Sequence, residues 1–319
     1  MPLGEFDLIR RFFSRNAPSA MLGSGDDAAL LAITPGQVLA VSTDMLLSDR
    51  HFFFDADPYL LGRKSLAVNL SDMAAMGAKP RWATLSLALP DANEAWLRPF
   101  SNGFYSMADE YGVELVGGDT TKGPLTLCVQ IMGEVAVAQA LRRDGAKVGD
   151  DIWVSGELGA AALALMQLQG KLSLPADELA QCTQRLHDPT PRVALGLALR
   201  GIATSAIDLS DGLLADLGHV LQRSNVGAKI QLRDVPCSKV LRAYFARAPG
   251  QQALLAGGDD YELCFTAPPT QAAAIADIAT QLRLPLTAIG QIVAGRELIV
   301  QDENGDALDL DHRGFDHFN

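Results

Sequence analysis

Two short acidic motifs occur twice in this chain, in the same order. NLSDMAAMG at 69–77 is echoed by DLSDGLLADLG at 208–218, and VGGDTTKGPL at 116–125 by AGGDDYELCF at 256–265. Asn69 and Gly117 are 48 positions apart, Asp208 and Gly257 are 49. Paired matches at nearly equal spacing predict two halves that each contribute an acidic loop set to one site. The chain has 319 residues, 48% of them hydrophobic and 20% charged, enough for two globular domains with substantial cores. The polar stretch RRDGAKVGDD at 142–151 marks the change between them, and the predicted domains are 1–138 and 139–319.

Within those domains, VLAVST at 38–43, TLSLAL at 84–89, LTLCVQIMGEV at 125–135 and IWVSG at 152–156 read as strands alternating with helix-like stretches. Mixed layers of the α+β or α/β class follow. Asp57-Pro58 predicts a helix running to about Met76, and Thr190-Pro191 predicts one over 191–200. ELIVQDENGDALDL at 297–310 reads as two strands around an Asn304-Gly305 turn.

The net charge of -12 argues against a general nucleic-acid binder, which clusters Lys and Arg on its surface. An anionic substrate would therefore be met through metal ions. Cys128, Cys182, Cys237 and Cys264 have no CxxC spacing, which predicts reduced, mostly structural thiols. The N-terminus scatters charges where a signal peptide needs an apolar core, and no apolar run approaches the ~20 residues of a membrane span. A cytoplasmic protein with no membrane partner is expected.

Five segments set acids beside glycine or small hydroxyl residues: Gly25-Asp26-Asp27, Ser42-Thr43-Asp44, Leu70-Ser71-Asp72, Gly117-Gly118-Asp119 and Asp208-Leu209-Ser210-Asp211. Each is expected at the end of a strand or the start of a helix. Carboxylates there supply hard oxygens to Mg²⁺, while glycines admit the backbone to a polyphosphate. Taken singly, each segment also reads as a helix cap or a turn. Their number and the paired motifs favour metal binding. The chain has no GxxxxGK[ST] loop, no HRD or DFG set and no GxSxG elbow, so ATP use would need another architecture and a hydrolase triad has no support.

The strings GDDAA, STDMLLSDRHF, DPYLLGRKSLAVNLSDMAAMGAKP, VGGDTTKGPL, AIDLSDGLLADLG and GGDDYELCF together resemble the thiamine-monophosphate kinases of the aminoimidazole-ribonucleotide-synthetase superfamily, in the family's order and over nearly the whole chain. The resemblance implies a two-domain α+β fold, each domain a mixed β-sheet with packed helices, the first (1–138) an ATP- and metal-binding α/β domain. It implies transfer of the γ-phosphoryl group of ATP to thiamine monophosphate, assisted by several Mg²⁺ ions, in a homodimer whose N-terminal domains share one barrel.

Carried over by position, the metal set is Asp27, Ser42, Thr43, Asp44, Asp72, Asp119, Asp208 and Asp211, with Asp44, Asp72, Asp119 and Asp208 central to catalysis. Gly118, Asp119, Arg143 and Ser210 match ATP contacts, and His51, Asp259 and Phe315 match contacts to thiamine phosphate. His187, His219, His312 and His317 show no ligand spacing, and Met73, Met76 and Met107 read as packing residues. The rival readings are a ligase of the aminoimidazole-ribonucleotide-synthetase type and a non-catalytic divalent-cation binder. A selenophosphate synthetase would need a reactive Cys near the N-terminus, and the first here is Cys128. No EF-hand loop supports the cation binder.

Overall fold

Asp57 opens the first long helix as its sequence predicts. Its Oδ1 accepts the Leu60 N–H at 3.0 Å, and Pro58 takes the first helical position, where no N–H is needed. In the computed structural model, which describes residues 4–245, 248–308 and 314, this helix belongs to a series α1 (Glu5–Leu8), β1 (Val38–Leu47), α2 (Pro58–Ala75), β2 (Lys79–Leu89), α3 (Glu94–Tyr111), β3 (Glu114–Lys122) and β4 (Thr126–Val135). The chain divides into two units, Met1–Met73 with Ala78–Ala138, and Ala74–Gly77 with Gln139–Asn319. Each carries a mixed sheet with packed helices, an α+β architecture.

The first unit's sheet has the order β1-β4-β2-β3, parallel between β2 and β3 and antiparallel elsewhere. Parallel neighbours need a long crossover, and α3 provides it. Helices α2 and α3 approach so closely that a Cβ on Gly62 would stand 2.1 Å from the Phe100 carbonyl oxygen, and one on Gly103 1.9 Å from that of Tyr59. Leu66, Leu70, Leu97, Phe100, Phe104 and Ile131 fill the core between helices and sheet. On the other face, Trp82, Val116 and Met132 are covered by Ala17, Ala20, Ala29 and Leu31. The Trp82 indole N–H donates to Ser19 Oγ at 2.8 Å, which in turn donates to Glu114 at 2.7 Å. Leu39, Val41, Met45 and Leu47 of the edge strand β1 stay exposed.

The second unit contains β5 (Asp151–Ser155), α4 (Ala160–Leu168), α5 (Ala176–His187), α6 (Val193–Ala198), β6 (Ser205–Asp208), α7 (Leu213–Ser224), β7 (Gly227–Gln231), α8 (Lys239–Tyr244), α9 (Ala248–Ala256), β8 (Leu263–Ala267), α10 (Ala272–Leu282), β9 (Leu286–Val293) and β10 (Leu298–Gln301). Its strand order is β10-β7-β9-β5-β8-β6, parallel only between β10 and β7. All four cysteines are free, and Cys182, Cys237 and Cys264 lie in this unit's core.

Three expectations are corrected. Helix α6 is shorter than 191–200: it starts only after Arg192, and Gly201 at φ +74° turns the chain beyond its end. After β10 the chain turns through Gly305, but the return arm makes only a bridge from Ala307 to Gln301, and 309–310 lie outside the described residues. The paired motifs do not fold alike. Residues 69–75 are helical in α2, whereas 208–213 leave β6, cross a loop and enter α7. Helical Met73 is matched by Gly212, whose φ of +115° no helix admits. Likewise 116–122 lie in β3, while 257–262 form a loop before β8. The resemblance between the halves is one of local chemistry, not of topology.

Candidate active site

In the first unit, Ser42, Thr43 and Asp44 lie inside β1, not at its end, because the strand continues to Leu47. Side chains alternate along a strand, so Ser42 and Asp44 share the helix-covered side and Thr43 takes the other. The cross-strand pairs agree: Ser42 is level with Ile131, and Asp44 with Val129, both core residues. Ser42 Oγ donates to Asp72 Oδ2 at 2.5 Å, tying β1 to the C-terminal part of α2. Asp72 stands well inside the helix and is no N-cap. Thr43 Oγ1 donates to the Val129 carbonyl at 3.0 Å.

Gly118 and Asp119 lie in β3, the opposite edge strand. A Cβ on Gly118 would meet the Leu85 carbonyl oxygen at 2.0 Å, so glycine is required for β3 to pair with β2. Asp119 is exposed and level with Ser86. From β1 to β3 is three strand spacings, about 14 Å, which puts Asp44 and Asp119 on opposite edges of this sheet. Asp27 is exposed in a turn after Gly25, its N–H donating to Asp26 Oδ1 at 3.0 Å. His51 Nδ1 accepts the Leu47 N–H at 3.1 Å, which leaves the neutral ring's proton on Nε2.

The second unit brings its acids closer together. Strand β6 ends on buried Asp208, and the loop 209–212 leads into α7. A second loop, 257–262, lies against it through three backbone bonds: Asp259 N–H to Ser210 O at 2.9 Å, Tyr261 N–H to Leu209 O at 2.8 Å, and Leu209 N–H to Glu262 O at 2.8 Å. Gly258 permits this approach, since a Cβ there would stand 2.3 Å from the Ser210 carbonyl oxygen. Asp259 and Tyr261 take left-handed conformations, at φ +68° and +49°. Such strain is held only by surrounding structure. Here that structure is Glu262, whose buried carboxylate binds the Arg192 guanidinium through two bonds, one of 2.6 Å, and accepts Ser155 Oγ at 2.5 Å.

Electrostatics mark the same loops. Asp216 is pushed up to about 7, mainly by burial and further by the charges of Asp208 and Asp211, against the pull of the Asp211 and Gly212 N–H groups. Asp260 is held well above the usual carboxylate range by burial, which outweighs the Gly159 N–H bound to both its oxygens at 2.9 Å, with Glu262 and Asp259 adding repulsion. Cys264 rises to about 12 through burial and the charge of Asp216.

Among the described residues, no three His, Cys, Asp or Glu side chains form a group able to hold a metal ion. Mg²⁺ is ordinarily held by one or two carboxylates with waters and substrate phosphates. The donors are oxygens throughout, as a hard cation requires. Arg143 is exposed in the loop before β5, with its carbonyl accepting Ser224 Oγ at 2.9 Å. Phe315 lies outside the described residues, as do His312 and His317. Sequence reasoning missed Asp216, Arg192 and Glu262. The signals were an acid just inside a helix that starts at glycine, and a carboxylate abutting the apolar run LCFTA.

The chain matches the N-terminal domain of AIR synthase related proteins over residues 25–135 and their C-terminal domain over 147–303. It is 46% identical over 322 aligned residues to thiamine-monophosphate kinase of Escherichia coli strain K12, covering 100% of this chain and 99% of the relative. The crystal structure of thiamine-monophosphate kinase from Stenotrophomonas maltophilia K279a is similar at a TM-score of 0.86 and 48% identity, covering 97% of this chain and 99% of that one. AaThiL complexed with AMPPCP and TMP is similar at a TM-score of 0.77 and 32% identity, covering 90% of this chain and 89% of that one.

Proposed function

This chain belongs to the thiamine-monophosphate kinase family, built from the two AIR synthase related domains, and from that premise we propose that it transfers the γ-phosphoryl group of ATP to thiamine monophosphate. The products are thiamine diphosphate and ADP. The observation that carries this reading is the end-to-end identity of 46% with the Escherichia coli enzyme. The AMPPCP and TMP complex of AaThiL supports the substrate pair.

The acceptor is itself an anion, so the reaction draws two phosphate groups together. Mg²⁺, when held by the chain's acidic loops, would supply positive charge against that building on the transferring group. We assign their ligands to Asp27, Ser42, Thr43, Asp44, Asp72, Asp119, Asp208 and Asp211, with Asp44, Asp72, Asp119 and Asp208 central to turnover. The Ser42 bond supports the role of Asp72 by fixing its carboxylate. Gly118, Asp119, Arg143 and Ser210 contact ATP in this reading, the Arg143 guanidinium fork suiting phosphate oxygens. His51, Asp259 and Phe315 contact thiamine phosphate.

The active form in this reading is a homodimer. The exposed apolar row Leu39, Val41, Met45 and Leu47 supports it, because an uncovered edge strand of this kind invites a second sheet. A cytoplasmic setting accords with four free thiols. Among the described residues, no helix is long and apolar enough to cross a membrane. Incubation with ATP, Mg²⁺ and thiamine monophosphate, followed by chromatographic separation, tests the activity. Thiamine diphosphate is expected, and its absence from folded, metal-supplied protein overturns the reading.

A further inference from the structure

The start of α7 departs from the usual way a helix N-terminus is satisfied. The first backbone N–H groups of a helix lack intrahelical partners and attract either a capping side chain or an anion. Gly212 occupies the cap position and has no side chain to offer. One turn inside the helix, Asp216 reaches back instead: its Oδ2 accepts the Asp211 N–H at 3.0 Å and the Gly212 N–H at 3.1 Å. The Asp216 N–H donates to the Gly212 carbonyl at 3.0 Å, closing a small ring at the junction of loop and helix. Asp216 is only 3% exposed, so its carboxylate holds these amides from the inner side.

We propose that Asp216 is the positioning residue of the 208–212 loop: its two backbone bonds fix the segment that presents Asp208, Ser210 and Asp211. The loop's other flank is fastened by the bonds to Asp259, Tyr261 and Glu262, so Asp216 sets the end that carries Asp211. A second consequence concerns phosphate. Helix N-termini often bind phosphate directly through free amides. Here Asp216 already fills that role at Asp211 and Gly212, so a polyphosphate meets acids and their cations at this loop, not these two amides.

The inference rests on reading Asp208 and Asp211 as metal ligands, and its test separates the two ideas. Hydrogen exchange of the 208–216 segment is measured in metal-free wild type, Asp216→Asn and Asp216→Ala, together with the Mg²⁺ concentration for half-maximal activation. Asparagine keeps an oxygen that accepts both N–H groups, and alanine removes it. Asp216→Asn should match wild type in both readouts. Asp216→Ala should exchange faster and need about 10–100-fold more Mg²⁺, the usual effect of removing a group that orients a metal ligand. Unchanged exchange in Asp216→Ala overturns the proposal, as does an asparagine variant as impaired as the alanine one. Should the alanine variant not fold, the asparagine result still decides between bonds and charge. Absence of kinase activity in the wild type would defeat the functional reading and leave the exchange comparison intact.

Discussion

Removing the Glu262 carboxylate should destabilise the second unit severely and by a calculable amount. The Arg192 and Glu262 side chains are 14% and 2% exposed, so their ion pair is almost wholly withdrawn from water. Glu262→Ala takes the carboxylate away from a largely buried guanidinium and deprives Ser155 Oγ of its acceptor. Breaking a buried pair from one side costs about 3–5 kcal/mol. For a unit of this size that corresponds to a fall in Tm of about 6–20 °C. Differential scanning calorimetry of the full chain reads it. The control is the double substitution Arg192→Met with Glu262→Leu, which removes both charges and refills the volume. It should recover much of the loss, since apolar replacement of a whole buried pair is often neutral. A Glu262→Ala shift below about 2 °C, or a double variant no better than the single one, would refute the claim that this pair holds the strained 257–262 loop.

Asp44→Asn and Asp72→Asn should each abolish turnover with little change in Tm, since these acids are assigned to metal rather than to the core; loss of folding would return them to a structural role. Gly118→Ala should destabilise by at least about 1–3 kcal/mol in urea melts, because its Cβ would collide with the Leu85 carbonyl. In metal-free protein, Asp216 holds its proton up to about 7 in the folded chain, against 3.8 as its ordinary value. Its stabilising contribution is thus complete below the lower value and lost as pH rises through the upper one, by at most about 4 kcal/mol. Asp216→Asn should flatten that part of the stability profile, read by denaturant melts across pH. Val41→Lys should shift the protein from dimer to monomer in light scattering, and an unaltered dimer would locate the interface elsewhere.

Much of the fold was legible because long elements carry strong local signals. The Asp57-Pro58 start of α2, its extent to about Met76 and the apolar runs of β2, β4 and β5 all appear as predicted, with ends shifted by a few residues. The short strands β6 and β8 were hidden: SAID and LCFTA are brief buried runs that periodicity cannot assign. The paired motifs correctly singled out chemically related segments, yet misled on topology, since one residue, Met73 or Gly212, decides between continuing a helix and opening a loop. In the site, residues next to glycine or at strand ends were visible as motifs. Asp216, Arg192 and Glu262 were not, because their importance lies in contacts between segments distant in sequence or in a side chain turned back on its own helix start.

The central claim is direct phosphoryl transfer to an acceptor phosphate, and an isotope follows it most directly. ATP labelled at the γ-phosphate is incubated with the protein, Mg²⁺ and thiamine monophosphate, and the products are separated. The account predicts label in the terminal phosphate of thiamine diphosphate, one equivalent for each ADP formed. Label released only as inorganic phosphate, with thiamine monophosphate unchanged, would contradict it.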